Sequence, residues 1–159
     1  MDVPAAELAI EVEPHNCFAC GELNEHGIHL DLHVDGERCW TELTLPARFQ
    51  GWDGIAHGGI VCTILDEVMA WSLVDSDAWG LTARMTVDFK RPVPIGSPIR
   101  ATGRLVERRR RLLRTDARLI DLATGELLAT SEATYVAAPD DRKADLKRRY
   151  GFVAAEAAS

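Results

Sequence analysis

A histidine and two glycines, followed by a carboxylate nine residues after the histidine, are the part of this chain best suited to chemistry. His57-Gly58-Gly59 stands where a helix begins. Asp66-Glu67 falls in the middle of that helix, among Ile60, Val61, Ile64, Leu65, Val68, Met69, Trp71 and Leu73. A helix start offers unpaired backbone N–H groups and the positive end of a dipole, and glycine lets a substrate carbonyl come close to them. A carboxylate in apolar surroundings is costly unless something pairs it or uses it. The pattern predicts backbone amides holding a carbonyl oxygen while an acid attacks its carbon or directs water onto it. At the level of single residues the plainer readings stay open: a tight turn for the glycines, a helix cap for His57, and a salt bridge to Arg84 or Arg91 for the acids.

On a regular helix, His57 and Asp66 lie on opposite faces and about 13 Å apart along the axis. They cannot form one site within one subunit. A two-fold dimer with antiparallel helices brings them together, with two shared sites per dimer. Neighbouring helical residues point about 100° apart, so Asp66 and Glu67 do not share a role.

A second constellation is cationic. Arg108, Arg109, Arg110, Arg111 and Arg114 crowd a predicted turn between strands, and Lys90 and Arg91 precede Pro92. Arginine and lysine suit phosphate groups, although a solvated hairpin tip accounts for the same charges. No Walker loop and no G-x-G-x-x-G accompanies them.

The elements that must position these groups follow from periodicity. Residues 1–14 read as a flexible N-terminal arm, 15–138 as one domain, and 139–159 as a charged tail able to form a short helix. Ile28, Leu30, Leu32 and Val34 alternate with polar residues up to the Asp35-Gly36 turn, and alternation resumes from Cys39 to Leu45. The loop 49–56 precedes a helix from Gly58 to about Val74, apolar almost all round and therefore buried on most sides. Strands follow at 81–89, 99–105, 113–119 and 127–135. The order β-β-α-β-β-β-β predicts an α+β fold in which a six-stranded antiparallel sheet wraps around one long central helix.

The bulk numbers exclude several classes. The chain has 159 residues, 47% of them hydrophobic, and a formal net charge of -7. That size supports one domain with a real core, and the acidic balance argues against nucleic-acid binding. No apolar run is long enough to span a membrane, and the N-terminus lacks a signal-peptide pattern, so a cytoplasmic location without membrane attachment is expected. Cys17 and Cys20 form a C-x-x-C, half of a zinc site, with His15, His26 and His29 nearby. The irregular ligand spacing weighs against a metal.

The segment Phe49-Gln50-Gly51-Trp52-Asp53-Gly54-Ile55-Ala56-His57-Gly58-Gly59, with Leu65-Asp66-Glu67, resembles the hotdog-fold acyl-CoA thioesterases, in the branch of the phenylacetate-pathway and mammalian superfamily enzymes. Cys17-Phe18-Ala19-Cys20-Gly21 with Asn24 and Gly27 is similar to many bacterial members, and the resemblance spans about residues 15–137. It implies hydrolysis of an acyl-CoA to a carboxylic acid and free CoA, with no metal and no cofactor beyond the coenzyme A of the substrate. It also implies a homodimer or homotetramer with shared sites. In the family pattern Asp66 is the catalytic carboxylate, as general base or nucleophile, and Gly58 supplies the oxyanion N–H. His57, beside Gly59, positions the carbonyl, Thr82 orients water, and Gln50 matches a polar loop residue loosely. Arg91, Arg108, Arg109, Arg110 and Trp52 are the expected substrate-binding residues. The alternative is a hotdog protein that binds acyl-CoA without hydrolysing it, as a sensor. A hydratase on the same fold wants an Asp and a His one turn apart at the helix start, a pair this helix lacks.

Overall fold

Residues Gly58–Trp71 form helix α1, and the rest of the fold is arranged around it. In this computed structural model, which describes residues 8–151 and 153–154, the strands are β1 (Leu8–Glu11), β2 (His33–Asp35), β3 (Arg38–Thr44), β4 (Gly80–Phe89), β5 (Pro98–Arg109), β6 (Leu112–Asp121), β7 (Leu127–Ala137) and β8 (Val153–Ala154). Helix α2 spans Asp140–Tyr150, where the sequence predicts a short helix in the tail. The strands make one antiparallel sheet in the order β4-β7-β6-β5-β3-β2-β1-β8, with α1 packed on its concave side against β3 to β7. The six predicted strands are β2 to β7. The two short ones, β1 and β8, pair with each other beyond β2.

Val61, Ile64, Leu65, Val68 and Met69 of α1 are buried, at the i, i+3, i+4, i+7 spacing of one helix face. Burial contributes about 2 kcal/mol for each such side chain before entropy is counted. The prediction of burial on most sides is corrected here. Ile60, Cys62, Thr63, Asp66, Glu67, Ala70 and Trp71 are only half-buried, because a single sheet covers one side of a helix. The helix sits so close to β5 that a Cβ at Gly103 would lie 2.6 Å from the Val68 carbonyl carbon and oxygen.

Two further expectations change. The strand read from Ile28 shrinks to His33–Asp35. Ile28 and Leu30 donate their N–H groups to the carbonyls of Phe18 and Ala19 instead, and His29 between them has a φ of 58°. The alternation there records burial of Leu30, Leu32 and Val34, not a ladder. Leu8–Glu11, assigned from sequence to a flexible arm, forms β1.

β4 is the more informative case. Its alternation puts Leu81, Ala83, Met85, Val87 and Phe89 on one face, yet Leu81 is 78% exposed and Phe89 53%. The register explains part of this. Thr82 pairs with Tyr135 and Arg84 with Thr134, so Ala83 is an extra residue, a β-bulge. The bulge turns Thr82 to the helix side, the side of Met85, and reverses the face of Leu81. β4 is also the end of the sheet, with β7 as its neighbour on one side only. Among the described residues no helix is long and apolar enough to cross a membrane.

Candidate active site

His57 caps α1. Its backbone is extended, and its Nδ1 accepts the Gly59 N–H at 2.9 Å. The His57 carbonyl takes the N–H groups of Ile60 and Val61. Of the first helical amides, Gly58 N–H meets no acceptor among the described residues, and Gly58 is exposed. The cap reading of His57 is thus correct, and it sharpens the chemistry. A neutral imidazole accepting at Nδ1 carries its proton on Nε2, so the ring presents a second N–H donor at the helix start.

A cleft of about 370 Å³ opens at this point, lined by Trp52, Gly58, Val61, Phe89, Lys90 and Arg91 among others. The Phe89 ring lies 3.6 Å from where a Gly58 Cβ would be, so glycine keeps this wall open. Trp52 is 85% exposed on the loop at its rim. Gln50 belongs to a neighbouring cleft with His57, Gly59 and Thr63, and its Oε1 accepts the Gly54 N–H at 3.2 Å.

Asp66 lies two turns along α1 and touches neither His57 nor Gly58. Its Oδ1 accepts the Thr82 hydroxyl at 2.9 Å and the Tyr135 hydroxyl at 2.6 Å. Oδ2 meets no partner among the described residues. Both donors come from the edge of the sheet, where Thr82 on β4 and Tyr135 on β7 face each other. Sequence reasoning found Thr82 and missed Tyr135. The signal was a tyrosine in the apolar phase of a strand, where a buried hydroxyl demands a partner. Burial, and then the adjacent Asp66 carboxylate, push the Tyr135 phenol well above its usual range, so it remains a proton donor. The salt bridges to Arg84 or Arg91 that could have explained the acids do not form; Arg91 pairs with Glu126 at 3.4 Å.

Glu67 points elsewhere. Its Oε1 accepts the Trp71 indole N–H at 2.9 Å and lies 3.7 Å from Cys17 Sγ. Burial pushes the Glu67 carboxyl up to about 7. The Cys20 thiol beside Cys17 is the main cause that lowers Cys17 to about 5, while Cys20 itself is pushed up. One proton is shared between Cys17 Sγ and Glu67 Oε1 across this contact. Cys17, Cys20 and Glu67 each place a ligand atom within 4.8 Å of the others, which makes them the group able to hold a metal among the described residues.

The arginines divide. Arg91 lines the Gly58 cleft. Arg108, Arg109 and Arg110 stand on the β5–β6 hairpin, whose tip carries Arg110 at φ 55°. Arg108 donates to the Ser76 carbonyl, beyond the far end of α1. A helix of 14 residues is about 21 Å long, so within one chain the hairpin does not reach the helix start.

Residues 53–128 match the family model of the thioesterase superfamily, a stretch that holds the helix start, Asp66 and Thr82 and stops short of Tyr135. Human acyl-coenzyme A thioesterase 13 is 28% identical over 83 residues, covering 51% of this chain and 59% of that protein. The match thus spans less than two thirds of that relative. Among solved structures, the thioesterase superfamily protein RHA08564 superposes with a TM-score of 0.72 at 24% identity, over 76% of this chain and 60% of the other. The Streptococcus mutans protein smu.793 bound to acetyl CoA gives a TM-score of 0.65 at 15% identity, over 74% and 97%. The chain has the hotdog fold, and its residues 53–128 match the thioesterase superfamily.

Proposed function

We propose that this protein hydrolyses acyl-CoA thioesters in sites shared between two copies of the chain. The observation that carries the reading is the division of labour along α1: an uncommitted amide at Gly58, and two turns on a carboxylate held by Thr82 and Tyr135 with one oxygen unoccupied. The curated relative's activity and the acetyl CoA of the Streptococcus mutans structure support the substrate class.

Gly58 N–H and His57 Nε2–H would receive the thioester oxygen as it gains charge. Asp66 Oδ2 would take a proton from a water attacking the carbonyl carbon; attack by the carboxylate itself, through an anhydride, uses the same placement. The C–S bond then breaks and the CoA thiolate leaves. Lys90 and Arg91, which line the Gly58 cleft, would meet its phosphates.

The half-buried stripe of α1 and the edge strand β4 are the surfaces a second copy would cover. A two-fold axis beside Cys62, half-way between positions 58 and 66, sets Gly58 of one helix opposite Asp66 of the other. The same antiparallel arrangement moves a partner's arginine hairpin toward the helix start, where one chain alone cannot bring it.

The test is Asp66→Asn. CoA release from a panel of acyl-CoAs falls about 10²–10⁴-fold, while light scattering continues to report a dimer. Undiminished turnover in the variant removes Asp66 from the chemistry. A monomeric, fully active wild type removes the shared site. Binding of acyl-CoA by the wild type without any turnover leaves a carrier or sensor in place of an enzyme.

A further inference from the structure

The groups around Cys17 are not used by the thioesterase reading, and they make a site of their own. The turn Cys17 to Gly21 closes on itself: Gly21 N–H donates to the Cys17 carbonyl at 2.9 Å, and the N–H groups of Ala19 and Cys20 point at Cys17 Sγ. A Cβ on Gly21 would sit 2.4 Å from the Cys17 nitrogen and 2.5 Å from the His15 carbonyl oxygen, so only glycine allows this wrap. The result is a knuckle that presents two sulfurs in one direction, with backbone amides beside Cys17 Sγ.

That direction is the middle of α1. Cys17 Sγ and Glu67 Oε1 are 3.7 Å apart, and all three donor atoms fall within 4.8 Å of one another. Zinc with bonds of about 2.3 Å to sulfur and 2.0–2.2 Å to oxygen needs ligand atoms about 3.5–3.8 Å apart in a tetrahedron. The spacing is therefore at, or a small side-chain rotation from, what zinc requires. Supporting groups are also in place. Trp71 Nε1–H fixes the Glu67 carboxylate at 2.9 Å. Buried His15 accepts the Cys17 N–H at Nδ1, 3.2 Å away, which leaves the proton on Nε2, 3.9 Å from Cys20 Sγ. Such outer partners orient ligands and stabilise their charge. An adjoining cleft of about 480 Å³, lined by His15, Cys20, His29 and Trp71 among others, gives an ion and a fourth, water ligand a way in.

We propose that Cys17, Cys20 and Glu67 bind one zinc ion per chain, with His15 and Trp71 as supporting partners, and that the ion clamps the N-terminal knuckle onto α1. Two thiolates exclude the hard cations magnesium and calcium and favour zinc. Binding releases two protons to solvent, one from Cys20 and the one shared between Cys17 and Glu67. This departs from the expectation of no metal, which rested on irregular spacing in the sequence; Glu67, 47 residues beyond Cys20, supplies the missing ligand.

The experiment is titration of the reduced, metal-stripped protein with cobalt(II), followed by displacement with zinc. A near-ultraviolet sulfur-to-cobalt charge-transfer band should saturate at one ion per chain and be removed by zinc. The thermal midpoint should rise with either ion. Cys17→Ser should lose the band. Glu67→Gln and His15→Ala should keep the fold by circular dichroism and bind about 10–100-fold more weakly. A folded, reduced wild type without the band overturns the proposal, as does loss of both thiols to a disulfide under air with no metal affinity in the reduced form. Unchanged affinity in Glu67→Gln removes the carboxylate ligand and overturns the clamp. None of these readouts depends on thioester turnover.

Discussion

Replacing Tyr135 by Phe isolates one hydrogen bond from everything else the residue does. The ring is fully buried and stays, so no cavity opens; only the hydroxyl, 2.6 Å from Asp66 Oδ1 and 2.9 Å from the Asp66 carbonyl, is lost. One hydroxyl proton serves one acceptor well, and the shorter contact to the carboxylate is the one to count. A hydrogen bond to a charged group is worth about 1.5–3 kcal/mol. Thr82 still donates to the same oxygen, so the carboxylate is not stripped, but it gains freedom to turn about the single remaining donor. If the lost energy appears in the transition state, kcat falls about ten- to a hundred-fold, with KM little changed because the hydroxyl touches Asp66 and not the acyl-CoA cleft. Thermal unfolding should show a loss within the same 1.5–3 kcal/mol range. The assay is CoA release with a thiol reagent, run beside Thr82→Val and the double variant. The two donors share one oxygen, so their effects should not add. Wild-type kcat in Tyr135→Phe, or strictly additive effects in the double variant, would refute the positioning role.

Gly103→Ala should destabilise the protein by about 1–3 kcal/mol or more, because the new methyl meets the backbone of Val68 and Met69 rather than a side chain that could rotate away; equal melting curves would count against that close approach. Arg91→Ala should raise KM for acyl-CoA several-fold while leaving a pantetheine thioester, which lacks the nucleotide phosphates, unaffected. The combined Arg109→Ala, Arg110→Ala variant should do the same only where the protein is dimeric, and equal effects on both substrates would remove the phosphate contact.

Much of this was legible because hydrophobic periodicity reports burial directly. The apolar run of α1 and the β3 and β5–β7 segments follow from it, while the helix start was marked by its glycines and α2 by its charged residues. Periodicity failed where burial and hydrogen bonding part company. Leu30 and Leu32 are buried without belonging to a ladder. In β4 the bulge at Ala83 changes the face of Thr82, and no turn residue announces it. Tyr135 read as one more core residue, since nothing local says that its hydroxyl meets a helix 69 positions earlier. The pairing of Glu67 with the Cys17 knuckle is equally distant, across 50 positions, and only the fold brings those donors together.

The bulge lets β4 carry one residue more than its neighbour β7 without moving Thr82 away from Tyr135. Removing Ala83 would leave every proposed catalytic side chain in the sequence and would restore an unbroken alternation of faces along β4. The Thr82 hydroxyl would stay on the helix side, because Thr82 already pairs with Tyr135 and Arg84 with Thr134. In a comparison of related chains, a one-residue gap at this point therefore leaves the support of Asp66 in place. A gap between Arg84 and Phe89 would instead shift Thr82 by one place against Tyr135 and turn its hydroxyl to the outer surface of the sheet.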